Sequence, residues 1–308
     1  MGGEAVKQSP AGWGATFLLV AYLLLAPPVL FFGPLAGLLL LSRPRTLREW
    51  LWLLGTGIWT AIWLNQAGGL AAQFARAAAV LLTGTFLALT VWRPSDRFSR
   101  ALAATALAGV ALTVWMAHLG IDWSEIRHAV EHDLWTYNRE LMRRLGEAAP
   151  ASGAQDLLDE MSATVRTIGA LYPALLTIAS VAGLRLAWSW HHRIARRPLG
   201  APPPAFSAFA FSDQLVWGWV VGLLLCVLPL PDVWRAIGIN LLMACAILYA
   251  VRGLAVFSAG SKRVPGAVIA TLSVIAMFLF PFVVGGLTLL GLADTWLDFR
   301  RRLTASAT

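Results

Sequence analysis

The chain has 308 residues, 58% of them hydrophobic and 13% charged, with a net charge of +8. Soluble domains draw about a quarter of their residues from the charged set, so a soluble globular surface of this size is excluded. The positive charge sits in short arginine clusters between apolar runs. That excludes the continuous basic face a nucleic-acid partner needs and suits anionic lipid headgroups.

A bilayer core needs about 20 apolar residues per crossing helix. Runs of that kind fall at about 14–42, 49–66, 69–92, 101–120, 166–190, 214–231, 234–257 and 265–292. The expected fold is all-α: a polytopic transmembrane helical bundle of about eight to ten membrane segments. Its parts are an N-terminal bundle over 1–120, a helical hairpin over 121–165 and a C-terminal bundle over 166–308.

The first run follows Lys7, but Ala26-Pro27-Pro28 is a poor signal-peptide cleavage site, so a retained first helix is expected. This run and the last are each about 40 Å long as helix, beyond the hydrocarbon thickness. Each has proline near its middle, at Pro27-Pro28 and at Pro281. Each is either one tilted or kinked helix or two short ones, crossing once or twice.

Basic connections carry Arg43, Arg45 and Arg48, then Arg93, Arg97 and Arg100, then Arg193, Arg196 and Arg197, then Lys262 and Arg263. The alternating connections at 66–69, 121–165 and 231–233 are short or acidic. Basic loops stay cytoplasmic. The expected setting is a bacterial cytoplasmic membrane with the 121–165 segment outside and both termini inside. The tail Arg300-Arg301-Arg302 is then inside only if the last run crosses twice.

In the hydrophilic stretch, Ile126, Val130, Leu134, Tyr137, Leu141 and Leu145 recur at helical spacing. A break follows at 149–153, and a second helix starting near Asp156 leads into the next run. The resulting hairpin is a cap or a surface for other membrane proteins. Trp50, Trp92, Trp123, Trp188, Trp190, Trp217 and Trp234 fall near span ends, where their rings suit the headgroup zone. Small residues mark helix contacts at Gly33 with Gly37, at Gly218 with Gly222, and along Ala101, Ala104, Ala108 and Ala111. Cys226 and Cys245 lie inside apolar runs as small hydrophobes.

Two constellations could carry chemistry. His128-Ala129-Val130-Glu131-His132 reads H-x-x-E-H, an inverted zinc-protease pattern. However, His128 lies about 200° around the helix from Ile126, which favours a solvated face over a metal site. Asn65, Gln66, Gln73 and Arg76 gather at one end of the second and third runs. An arginine and amides there suit an anionic or hydrogen-bonding ligand, whereas a snorkelling Arg76 is the structural alternative. Arg185 and Asn240 are the other polar residues read inside spans, with Asn240 a further ligand candidate or a bridge between helices. No intramembrane carboxylate pair is read, so no proton relay is expected. No phosphate loop or catalytic motif occurs, so no enzyme activity and no cofactor are expected.

Gly238-Ile239-Asn240-Leu241, Arg252-Gly253-Leu254-Ala255-Val256 and Leu290-Gly291-Leu292-Ala293-Asp294, followed by Asp298-Phe299-Arg300-Arg301-Arg302, resemble the YybS-like family of uncharacterised bacterial membrane proteins. Physically, the ending reads as a helix leaving the membrane, with Asp294 and Asp298 paired to Arg301 and Arg302. The first half is distantly similar to the substrate-binding subunits of energy-coupling-factor vitamin transporters. Those open with short proline-interrupted helices and dock a coupling subunit through small residues, a spacing that Ala11 and Ala15 supply here. The extra C-terminal helices and the hairpin depart from that pattern. The YybS-like resemblance implies no particular activity; the Asn65–Arg76 cluster and the proline-broken first and last runs suggest a small-solute binding or transport subunit working with partners, and the alternative is a scaffold that docks through the hairpin.

Overall fold

The computed structural model describes residues 12–92, 98–140, 143–144, 154–261, 268, 271, 275–276 and 278–299. The α-helices whose bounds fall among the described residues are α1 (Gly12–Leu25), α2 (Val29–Leu41), α3 (Leu47–Asn65), α4 (Leu70–Trp92), α5 (Ser99–Leu119), α6 (Trp123–Tyr137), α7 (Ala154–Ile194), α8 (Val216–Val227), α9 (Asp232–Gly260) and α10 (Phe280–Leu297). No strand occurs among the described residues. Helices α4, α5, α7, α9 and α10 are long and apolar enough to cross a membrane, while α1, α2 and the α8 segment are shorter apolar helices.

The overlong first run divides at Pro27-Pro28 into α1 and α2, because proline supplies no N–H to continue the first helix. Helix α2 is the core of the N-terminal half, with Val29, Leu30, Phe31, Leu35, Leu38 and Leu39 all buried against α3, α4 and α7. Its glycines meet α4, Gly33 at Thr83 and Gly37 at Leu87. Helices α4 and α5 join through the Ala101, Ala104 and Ala108 face, where the Thr85 hydroxyl donates to the Ala104 carbonyl at 3.2 Å. The small-residue spacings thus mark true contacts.

Helix α6 lies across one end of the bundle, burying Ile126 and Val130 against Ala71, Phe74, Leu112 and Met116. Tyr137 does not continue this stripe; it is 89% exposed at the last turn. The start of α7 pairs with α6, which gives the expected hairpin. Its linker 149–153, Leu141 and Leu145 lie outside the described residues. So do Ala11, Arg93, Arg97, Lys262, Arg263 and the 300–302 tail. Trp188 also departs from the interfacial pattern: at 2% exposed it belongs to the core.

In the C-terminal half, α8 and α9 pack antiparallel. Gly222 and Gly238 abut, Cys245 sits on Gly218, and Cys226 sits on Gly238. Both cysteines are free thiols that fill the space a glycine leaves. Helices α9 and α10 pack in parallel. The Thr288 hydroxyl donates to the Ala246 carbonyl, Gly291 abuts the Tyr249 carbonyl, and Arg252 bonds Asp294. Contact positions therefore rise together along both helices. Phe280 then starts α10 about 30 Å of helix away from Gly260 along α9, given 1.5 Å per residue. Gly260 and Phe280 therefore lie at opposite ends of the α9–α10 pair, the placement that two crossings of the last run require.

Candidate functional site

The sequence-derived residues at the α3–α4 turn are close together but open. Asn65, Gln66 and Gln73 are exposed. The Asn65 amide donates to Ala61 of its own helix at 2.8 Å, and the Arg76 guanidinium folds back against Gly68. This is the geometry of a side chain reaching for the bundle surface. Asn240 lies elsewhere and joins two helices, accepting from the Ala174 N–H at 2.9 Å and donating to the Ala170 carbonyl at 2.9 Å. His128 and His132 are exposed on α6, and no group of three metal-ligand side chains occurs among the described residues.

The charged centre of the molecule involves residues the sequence reading had placed at helix ends. Arg252 is inside α9, two turns before its end, and the tight α9–α10 crossing at Gly253 and Gly291 brings it beside Asp294. The Arg252 Nε donates to Asp294 Oδ2 at 3.0 Å, and an Arg252 terminal nitrogen donates to Asp213 Oδ1 at 2.9 Å. Asp213 comes from an irregular segment between α7 and α8. Phe209 and Phe211 of that segment enter the core beside Val181, Leu248 and Tyr249. The Arg252 guanidinium lies 5.3 Å from the Phe211 ring centroid. Irregular backbone at this depth is tolerated where protein surrounds it. Asp294 therefore pairs with a neighbouring helix; Arg301 and Arg302, its expected partners, lie outside the described residues.

Exposure splits the cluster. The Asp294 side chain is 0% exposed, that of Arg252 is 6% and that of Asp213 is 64%. Both carboxylates accept from the one Arg252 guanidinium. A buried carboxylate stripped of its cation would be costly, so Arg252 and Asp294 hold each other in place. Asp213 is the open side of the same cluster.

A family model described as a predicted membrane protein, DUF2232, matches residues 14–295. The chain belongs to this family. No curated protein and no solved structure matches it. The DUF2232 match takes in Asp213, Arg252 and Asp294, and every helix from α2 to α9.

The DUF2232 chain has a second polar cluster at the end of the bundle where its arginine-rich connections lie. Thr46 and Glu49 form a reciprocal cap at the start of α3. The Glu49 carboxylate accepts from the Arg45 N–H at 2.7 Å, the Thr46 N–H at 2.8 Å and the Thr46 hydroxyl at 2.9 Å. Its other oxygen accepts from the Arg196 N–H at 2.5 Å, which fastens α3 to the end of α7. Nearby, the Arg100 guanidinium lies 4.1 Å from the Trp188 ring centroid, and His191 is fully buried. Sequence reasoning missed both clusters because their members lie far apart along the chain. The one available signal was Arg252, a charge interrupting an apolar run.

Proposed function

We propose that this chain is a small-solute binding or transport subunit of the bacterial cytoplasmic membrane, acting with partner proteins. The Arg252–Asp213–Asp294 centre is its charge-handling site, and the arginine-rich end faces the cytoplasm with both termini. The observation that carries this reading is one ion cluster with a sealed carboxylate at one side and an open one at the other. Intramembrane ionisable residues mark solute and ion pathways, and interrupted helices frame such sites. The breaks at Pro27-Pro28 and Pro281 and the segment before α8 are interruptions of that kind. Under this reading the chain is not an enzyme, and Asn65, Gln66, Gln73 and Arg76 form an outer approach.

The test is ligand-dependent thermal stabilisation across a panel of cationic and anionic metabolites, followed by uptake into proteoliposomes. Asp213→Asn removes an exposed charge, so the melting temperature is expected to hold while binding falls at least tenfold. A ligand whose affinity is indifferent to Asp213→Asn moves the site elsewhere, and a panel with no ligand at all removes the reading.

The alternative, a scaffold in a membrane complex, draws on the outer face of α6, where Arg127, His128, His132 and Tyr137 all stand exposed. Just beyond it, Glu140 is held below the ordinary carboxylate range by Arg143 and Arg144. Co-purification from mild detergent decides this reading. Loss of a partner with Tyr137→Ser and His132→Ser supports it, and an unchanged set of partners counts against it.

A further inference from the structure

Helices α2 and α3 leave a groove open on the side of the bundle. It has a volume of about 310 Å³ and is lined by Phe32, Leu51, Trp52, Gly55, Thr56 and Trp59. The one hydroxyl in the wall is spent, since Thr56 Oγ1 donates to the Trp52 carbonyl at 2.7 Å. The groove therefore offers predominantly apolar surface, on the outer side of the helix pair.

Its charged end identifies what fits it. Arg48, Trp52, Gly55 and Trp59 follow one another at spacings of four, three and four residues, so they share one face of α3. Arg48 therefore stands one turn beyond the groove on its own stripe. Arg43 and Arg45 are exposed in the connection just before it. Trp52 also touches Trp190 of α7, with ring centroids 5.6 Å apart, and the Arg193 guanidinium lies 5.9 Å from the Trp190 ring. Among the described residues no carboxylate pairs with the side chains of Arg43, Arg45 or Arg48. Glu49, the acid between them, points inward and is occupied by backbone donors. An apolar slot roughly 12 Å long ending in unneutralised arginines matches an acyl chain joined to an anionic headgroup. A partner helix would need a longer trough and carboxylates at that end.

We propose that this groove is a specific site for one anionic phospholipid, with an acyl chain between Phe32, Trp52 and Trp59 and its phosphate held by Arg48 with Arg45 and Arg193. The site is independent of the Arg252 centre. It makes the basic α2–α3 connection a ligand-binding element as well as an orientation signal.

Native mass spectrometry of the full chain in mild detergent, equilibrated with phosphatidylglycerol or phosphatidylcholine, tests it. One phosphatidylglycerol should survive activation, in at least fivefold excess over phosphatidylcholine. A Cβ on Gly55 meets nothing within 4 Å, so Gly55→Leu fills the groove without displacing backbone and should reduce the retained lipid at least tenfold. Arg48→Gln should leave the acyl contact and lower the preference for phosphatidylglycerol roughly fivefold, the effect of one basic contact near a membrane surface. Equal retention of the two lipids, or retention indifferent to both variants, would show annular lipid only and overturn the site. A protein dimer that Gly55→Leu dissociates would assign the groove to a second copy and overturn it equally.

Discussion

Pro173 interrupts α7 in the middle of its length, removing one donor and crowding the carbonyls of the preceding turn. Asn240 repairs the ladder from outside the helix. Its amide oxygen takes the Ala174 N–H and its amide nitrogen serves the Ala170 carbonyl, the two groups an uninterrupted helix would have bonded to each other. A polar side chain that the sequence offers as a ligand candidate is thus occupied on both sides by backbone. Asn240→Leu is expected to cost about 1–2 kcal/mol, the upper range for a polar contact between membrane helices. With Pro173→Ala the helix can close its own ladder, so the same substitution should cost less than half as much. Unfolding in detergent of the four proteins in that cycle measures the coupling; strictly additive costs would mean that Asn240 has another task. Glu49 works by the same logic at the basic end. Glu49→Ala abandons the Arg196 N–H together with the cap of α3 and should cost about 2–3 kcal/mol. The same unfolding measurement detects it. The replacement Thr46→Ala, which removes the cap hydroxyl alone, should cost about 1 kcal/mol.

Helix pairing depends on where backbone meets backbone. A Cβ on Gly253 would run into the Leu287 carbonyl, and one on Gly291 into the Tyr249 carbonyl, so neither can be relieved by a rotamer change. A Cβ on Gly285 or Gly286 of the same α10 meets nothing within 4 Å. Gly253→Leu should therefore separate α9 from α10, costing at least about 3 kcal/mol and releasing Asp294 from Arg252. Gly285→Ala should be neutral or gain about 0.5–1 kcal/mol from helix propensity. Melting temperatures of the two variants test the contrast, and equal effects would refute it. The contrast also explains what was legible in the sequence. Helices show as apolar runs and their breaks show as prolines, since both are local properties, and Pro27-Pro28 marks the division between α1 and α2 for that reason. The partner of each glycine depends on how one helix is set against another. Nothing local distinguishes Gly253 from Gly285, or points Asp294 to Arg252.

At the scale of the whole molecule, the pairing of α9 with α10 carries the topology. If α10 ran antiparallel to α9, Thr288 and Ala246 would lie on opposite sides of the Gly291 crossing, about 9 Å apart along the axes, and their hydrogen bond at 3.2 Å would be impossible. The parallel arrangement places Ser261 and Asp298 at one end of the bundle, and Asp232 and Phe280 at the other. That satisfies the charge rule for the terminal arginines, which a single crossing of 265–292 would violate. It also brings Asp294 to the same level as Arg252, so the double crossing is what assembles the charged centre. Removing Cys226 and Cys245 by alanine leaves a background in which single cysteines report sidedness to a membrane-impermeant maleimide. Cysteines at Ser42, Ser261 and Asp298 should be modified from one side, and those at Ser124, Asp232 and Phe280 from the other. Modification of Phe280→Cys together with Ser261→Cys would return the last run to a single crossing. It would also detach Asp294 from Arg252, since the two can meet only if the chain recrosses the membrane between them.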